Sequence, residues 1–123
     1  MDHEPPTIWC AGEIWCPVTA TTTLIGGKWH PVVILQLFKN DGLGFNALQD
    51  EIAGVSNKVL SETLEDLAEN GLINREIVNE KPVRVEYSLT PFGASLEPVI
   101  RAMAVWGSEQ LRAPEGMEEL SFP

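Results

Sequence analysis

The chain predicts an α+β fold, mostly α, with one β-hairpin set between helices. Three observations carry this. Apolar residues recur at helical spacing through residues 17–70. The period then changes from 3.6 to 2 in "VRVEYSL", residues 83–89, where Val83, Val85, Tyr87 and Leu89 face one way and Arg84, Glu86 and Ser88 the other. Helical spacing returns after Thr90-Pro91, an N-cap followed by proline in the first turn. At 123 residues and 44% hydrophobic content, the chain supports one domain around a single modest core.

Residues 1–15 read as an irregular N-terminal arm. Pro5-Pro6 prevents an early helix, while Ile8, Trp9, Ile14 and Trp15 bring apolar surface that needs a partner. A first helix is expected over 17–25, closed by Gly26-Gly27. A second begins near Trp29, accepts Pro31 in its first turn, and runs to about Lys39. It is apolar nearly all round (Val32, Val33, Ile34, Leu35, Leu37, Phe38), which marks a central helix. "NDGLG", residues 40–44, is a turn cluster.

A third helix over roughly 45–53 places Phe45, Leu48 and Ile52 on one face. Gly54 breaks it, and Ser56 is a good N-cap for a helix over 56–70. There Leu60, Leu64, Leu67 and Ala68 fall at i, i+4, i+7 and i+8, a buried stripe. Two short helices joined by a turn of about three or four residues have the spacing of a helix-turn-helix. "LINREIV", residues 72–78, is the expected partner strand, and "NEKP", residues 79–82, the hairpin tip. The last helix carries Leu96, Val99, Ile100, Met103, Trp106 and Leu111 on one stripe, with a kink expected at Pro98 and an end at Ala113-Pro114. An acidic tail over 113–123 is expected to be loose. The order helix, helix, helix-turn-helix, hairpin, helix is that of a winged helix-turn-helix, over residues 16–112.

Net charge is -10, and a footprint on nucleic acid is normally basic. The distribution softens this objection. Residues 1–15 and 113–123 hold six acids and no Lys or Arg, which leaves 12 acids against all 8 bases, or -4, between them. A salt-rich cytoplasm is one setting in which an acidic surface keeps proteins soluble. The start lacks the basic and apolar regions of a signal peptide, and the longest apolar run, "PVVILQLF", is too short for a bilayer. A cytoplasmic protein with no membrane partner is expected. Cys10 and Cys16 make neither a disulfide framework nor a zinc half-site. Nothing in the spacing of His3, Cys10, Cys16 and His30 forces them together, so no metal and no cofactor is expected. There is no nucleophile elbow, HExxH, phosphate-binding glycine loop or triad, so an enzyme is not expected.

Ser56, Asn57, Lys58 and Ser61 lie at the N-terminal end of the second helix of the pair, the end a recognition helix puts into the major groove. That end also offers backbone N–H groups and positive partial charge to a phosphate. Glu65, Asp66 and Glu69 are expected further back, toward solvent, with Glu69 ~16 Å along the axis from Lys58, beyond a Debye length of about 8 Å. Glu62 is either a cytosine reader or a plain surface residue. Lys81 and Arg84 on the hairpin are read as contacts to the flanking backbone or minor groove, with a solvated turn as the rival account. Lys28 suits a phosphate contact or a structural use equally. One phosphate for each of Lys28, Lys58, Lys81 and Arg84 gives a dimer a salt slope of about −7. Arg75 is expected to pair with an acid across the sheet, and Trp29, Tyr87 and Trp106 to be core or interface.

The segments "CPVTATTTLIGGKWHPVVILQLF", "FNALQDEIAGVSNKVLSETLEDLAENGLINREI" and "VRVEYSLTPFGASLEPVIRAMAVWG" together resemble HxlR-type transcriptional regulators, a branch related to the MarR group. The combination of Cys16-Pro17, Gly26-Gly27-Lys28-Trp29 and "VEYSLTPFG" in this order is specific, and the resemblance covers residues 16–111. It implies a homodimeric repressor or activator binding a pseudo-palindromic double-stranded DNA operator, with dimer contacts from the first and last helices. It also implies redox or electrophile sensing at Cys16, with a small electrophile or aldehyde as effector. The residues leave open a second account of Cys16, a small hydrophobe buried at the dimer. A rival from another class is a winged-helix protein-interaction module that has lost DNA binding.

Overall fold

A computed structural model describes residues 14–119. The order is α1 (Pro17–Ile25), α2 (His30–Lys39), α3 (Phe45–Glu51), α4 (Asn57–Glu69), β1 (Ile73–Glu80), β2 (Val83–Leu89), α5 (Pro91–Ala94) and α6 (Glu97–Gln110). This is a winged helix-turn-helix, mostly helical, with one two-stranded antiparallel sheet. No helix among the described residues is long and apolar enough to cross a membrane.

The all-round apolarity of α2 has its expected consequence. Five consecutive residues, Val33 to Leu37, are buried, and α2 packs against α1, α3, α4, α6 and β2. Leu48 of α3 and Leu60, Leu64 and Leu67 of α4 complete the centre with Leu72. Burial of one such side chain stabilises by about 1.5–3 kcal/mol. Gln36 is the discordant member: it is fully buried, and neither atom of its amide has a hydrogen-bond partner.

The hairpin is anchored at its base. Leu43, just before α3, exchanges backbone hydrogen bonds with Tyr87 at 3.0 and 2.7 Å, and so fixes β2 against the helix pair. Thr90 closes the other end: its N–H donates to the Leu72 carbonyl at 3.1 Å, and its hydroxyl accepts from the Gly93 N–H at 3.0 Å. Gly93 is required there because a Cβ would lie 2.0 Å from the Leu72 carbonyl oxygen.

Several expectations need correction. The tip is only Lys81-Pro82, because the strands continue to Glu80 and from Val83. A bulge at Val78 absorbs the extra residue of β1, leaving Asn79 opposite Arg84. The last helix is two helices: after the short α5, Pro98 falls in the first turn of α6, where its missing N–H costs nothing, so it starts a helix and does not kink one. α6 ends at Gln110, short of Ala113, and α3 ends at Glu51. Of the expected α6 stripe, Ile100 is buried, whereas Met103, Trp106 and Leu111 are exposed. The chain after α6 turns back so that the Ser108 hydroxyl donates to Glu119 at 3.0 Å. Of the N-terminal arm, only exposed Ile14 and Trp15 are described; His3, Ile8, Trp9 and Cys10 lie outside the described residues.

Candidate nucleic-acid interface

The turn between α3 and α4 is built by local chemistry. Gly54 adopts φ +93°, a left-handed conformation suited to glycine, and Val55 is buried as an anchor. Ser56 then caps α4, its hydroxyl oxygen accepting from the Val59 N–H at 3.2 Å. With Leu60, Thr63, Leu64 and Leu67 turned inward, the first turns of α4 present Ser56, Asn57, Lys58, Ser61 and Glu62, all exposed. Five of the eight residues singled out in the sequence are thereby brought together on one helix end.

Charge on this helix is managed by neighbours. Lys58 has Glu62 at 3.9 Å, a solvent-exposed pair one turn apart. Such a pair contributes only about 0.3–0.5 kcal/mol, so the ammonium is available to another anion at little cost. Lys28 lies across a cleft of about 440 Å³ that it lines with Trp29, His30, Glu62 and Asp66, and its ammonium sits 5.0 Å from the centre of the Trp29 ring. It has a structural contact and lies beside the helix as well. Lys81 and Arg84 are exposed at the far end of the hairpin, with the Lys81 N–H donating to the Asn79 side chain at 3.3 Å. On the same sheet, Glu76 stands directly opposite Glu86, an unfavourable like-charge pair.

Two expectations about the acids fail. Asp66 does not stand free toward solvent: His30 Nε2 donates to its carboxylate at 2.7 Å, tying the start of α2 to the middle of α4. The other ring nitrogen of His30 is buried without a hydrogen-bond partner. It lies so close to Gly27 that a Cβ there would come within 2.3 Å. Arg75 makes no ion pair across the sheet, where its register partner is Tyr87. It lines a cleft with Glu65 and Glu69 of α4 instead. The first joins residues 36 positions apart and the second joins a strand to the helix before it, and neither has a local sequence signal. Gln49 was likewise unforeseen; its amide Nε2 donates to the side-chain oxygen of Asn57 and to the Val55 carbonyl.

Cys16 occupies the N-cap of α1, half-buried. The backbone N–H of Thr19, then its hydroxyl, then the N–H of Val18 favour the thiolate and lower the thiol pKa from its ordinary value. Nearby, exposed Val18 on α1 and Met103 on α6 share a mainly apolar groove of about 560 Å³.

The model of the HxlR-like helix-turn-helix family matches residues 24–115. An HTH-type transcriptional regulator of Methanothermobacter thermautotrophicus is 40% identical over 95 residues, 77% of this chain and 72% of that protein. The HTH-type transcriptional regulator YdeP of Bacillus subtilis is 40% identical over 95 residues, 76% of this chain and 73% of its own. Among solved structures, the redox regulator HypR in its oxidized form superposes with a TM-score of 0.75 at 33% identity, covering 80% of this chain and all of that one. With its helix pair joined by a turn that Ser56 caps, its hairpin wing and its flanking helices, this chain belongs to the HxlR-like helix-turn-helix family of transcriptional regulators.

Proposed function

We propose that the protein acts in the cytoplasm as a homodimer that binds double-stranded DNA at a pseudo-palindromic operator. The N-terminal turns of α4 enter the major groove, and the hairpin grips the flanking backbone or minor groove. The observation that carries this reading is the exposed group Ser56, Asn57, Lys58 and Ser61, gathered on a capped helix end that the buried side of α4 holds against α2. Glu62 borders the group, and Lys28, Lys81 and Arg84 supply further cations for phosphates. The exposed apolar residues Val18, Met103, Trp106 and Leu111 on and beside α1 and α6 suit a second copy of the chain. Two α4 tips on one face of a duplex then meet half-sites about 34 Å apart. The test is selection of bound fragments from genomic DNA at several salt concentrations. Recovery of one two-fold-symmetric sequence supports the reading, and recovery of none refutes it. Under the rival reading, an interaction module without DNA binding, Lys58→Glu leaves partner binding intact.

A second activity is favoured by Cys16. Its lowered thiol pKa, and the likeness of the chain in fold and sequence to the redox regulator HypR, point to oxidant or electrophile sensing. A small electrophile or aldehyde is the effector class. A Cys16→Ser protein that releases DNA normally on oxidant treatment refutes it.

A further inference from the structure

The turn between α3 and α4 holds a side-chain amide pair that nothing in the local sequence announces. Gln49, near the end of α3, directs its Nε2 to the Val55 carbonyl at 3.4 Å and, in a short contact, to Oδ1 of Asn57. Gln49 is half-buried, whereas Asn57 is exposed in the first turn of α4. The oxygen and nitrogen of an amide are distinguished by their partners. The Val55 carbonyl only accepts, so the group Gln49 turns toward it is the NH2. That same NH2 meets Asn57, which must therefore turn its oxygen toward α3. The Asn57 NH2 is left as the group presented outward.

We infer that Gln49 is a positioning residue that makes Asn57 a hydrogen-bond donor toward the operator and so sets which base it reads. This rests on the proposal that the first turn of α4 faces bases. A donor at that point matches guanine N7 and O6, adenine N7 and thymine O4. It does not match cytosine, whose polar group in the major groove is the N4 donor. The contacted base is therefore selected against cytosine, even though Gln49 touches no DNA itself. In Gln49→Glu, a carboxylate replaces the NH2: it gives up the bond to the Val55 carbonyl, which only accepts, and accepts from Asn57 instead. The Asn57 amide turns over, its oxygen faces outward, and the preference inverts toward cytosine, whose N4 donor the wild type cannot meet.

The experiment is DNA selection with wild type, Gln49→Glu, Gln49→Ala and the double variant Gln49→Glu/Asn57→Ala, each checked for an unchanged unfolding midpoint. Wild type is expected to disfavour cytosine at one symmetric position of each half-site by roughly tenfold, the effect of one well-placed base contact. Gln49→Glu is expected to favour cytosine there, and Gln49→Ala to lose discrimination at that position alone. In the double variant the inversion disappears. If Gln49→Glu selects the wild-type base, or its altered preference survives Asn57→Ala, the inference is overturned while the DNA-binding reading stands. A wild type that selects no sequence overturns both. If Gln49→Glu lowers the unfolding midpoint, the Gln49→Ala result decides.

Discussion

Truncating Lys58 isolates the electrostatic part of the proposed interface. The Lys58 side chain is 85% exposed, and its ion-pair partner, Glu62 at 3.9 Å, is itself largely exposed. Removing the pair therefore changes folding by no more than about 0.3–0.5 kcal/mol. Binding responds differently. Four cations per protomer, each neutralising one phosphate, give a dimer eight contacts and a slope of log K against log salt of about −7. Lys58→Ala removes two of the eight and reduces the slope to about −5.4. Between about 50 and 200 mM salt, wild-type affinity falls about 20,000-fold and the variant's about 2,000-fold. Fluorescence anisotropy with the selected operator, titrated at four or five salt concentrations within that range, measures both slopes. Glu62→Gln provides a control of opposite sign: it releases Lys58 in both protomers and raises affinity about three- to fivefold. An unchanged slope in Lys58→Ala, with the fold intact, refutes the placement of this helix end against phosphate.

Gly93→Ala places a methyl group against the Leu72 carbonyl, 2.0 Å from its oxygen, and is expected to cost about 1–3 kcal/mol in urea unfolding. Gln36→Met removes a fully buried amide with no partner while nearly keeping its volume, and is expected to raise stability by about 1–3 kcal/mol in the same assay. Gly27→Ala displaces the His30 ring and so breaks its bond to Asp66; its effect and that of Asp66→Ala are expected to be strongly non-additive in a double-mutant cycle. The Cys16 pKa is lowered first by the Thr19 N–H, so the thiolate is the form that folding favours. Stability linked to this group is fully present above the unfolded thiol pKa and is lost as pH falls through the lower folded value. Iodoacetamide should therefore alkylate folded Cys16 with a pH midpoint below that of the unfolded chain, and Thr19→Val should shift the midpoint upward.

Periodicity and capping made most of the architecture legible. The stripe Leu60, Leu64, Leu67 and the cap Ser56 located α4 within a residue, because both signals are local and strong. The alternation in "VRVEYSL" located β2 for the same reason. Boundaries failed where two local readings compete. Pro98 suits a kink in one long helix and the first turn of a separate one equally well, and only the α5 turn before it decides between them. The turn residues "NEKP" suggest a wider hairpin tip than the one formed, because nothing in them announces the bulge at Val78.

Local pattern is enough to say which residues stand at the exposed end of α4, since that follows from 3.6-residue spacing and a cap within a single segment. The tertiary structure alone decided how they are held and what charge surrounds them. His30 and Asp66 are 36 positions apart, Arg75 reaches α4 from the sheet, and Gln49 reaches Asn57 across a turn. Side-chain hydrogen bonds and ion pairs depend on distances of a few ångströms between separate elements. Local spacing carries no information about those distances until the core has packed the elements together.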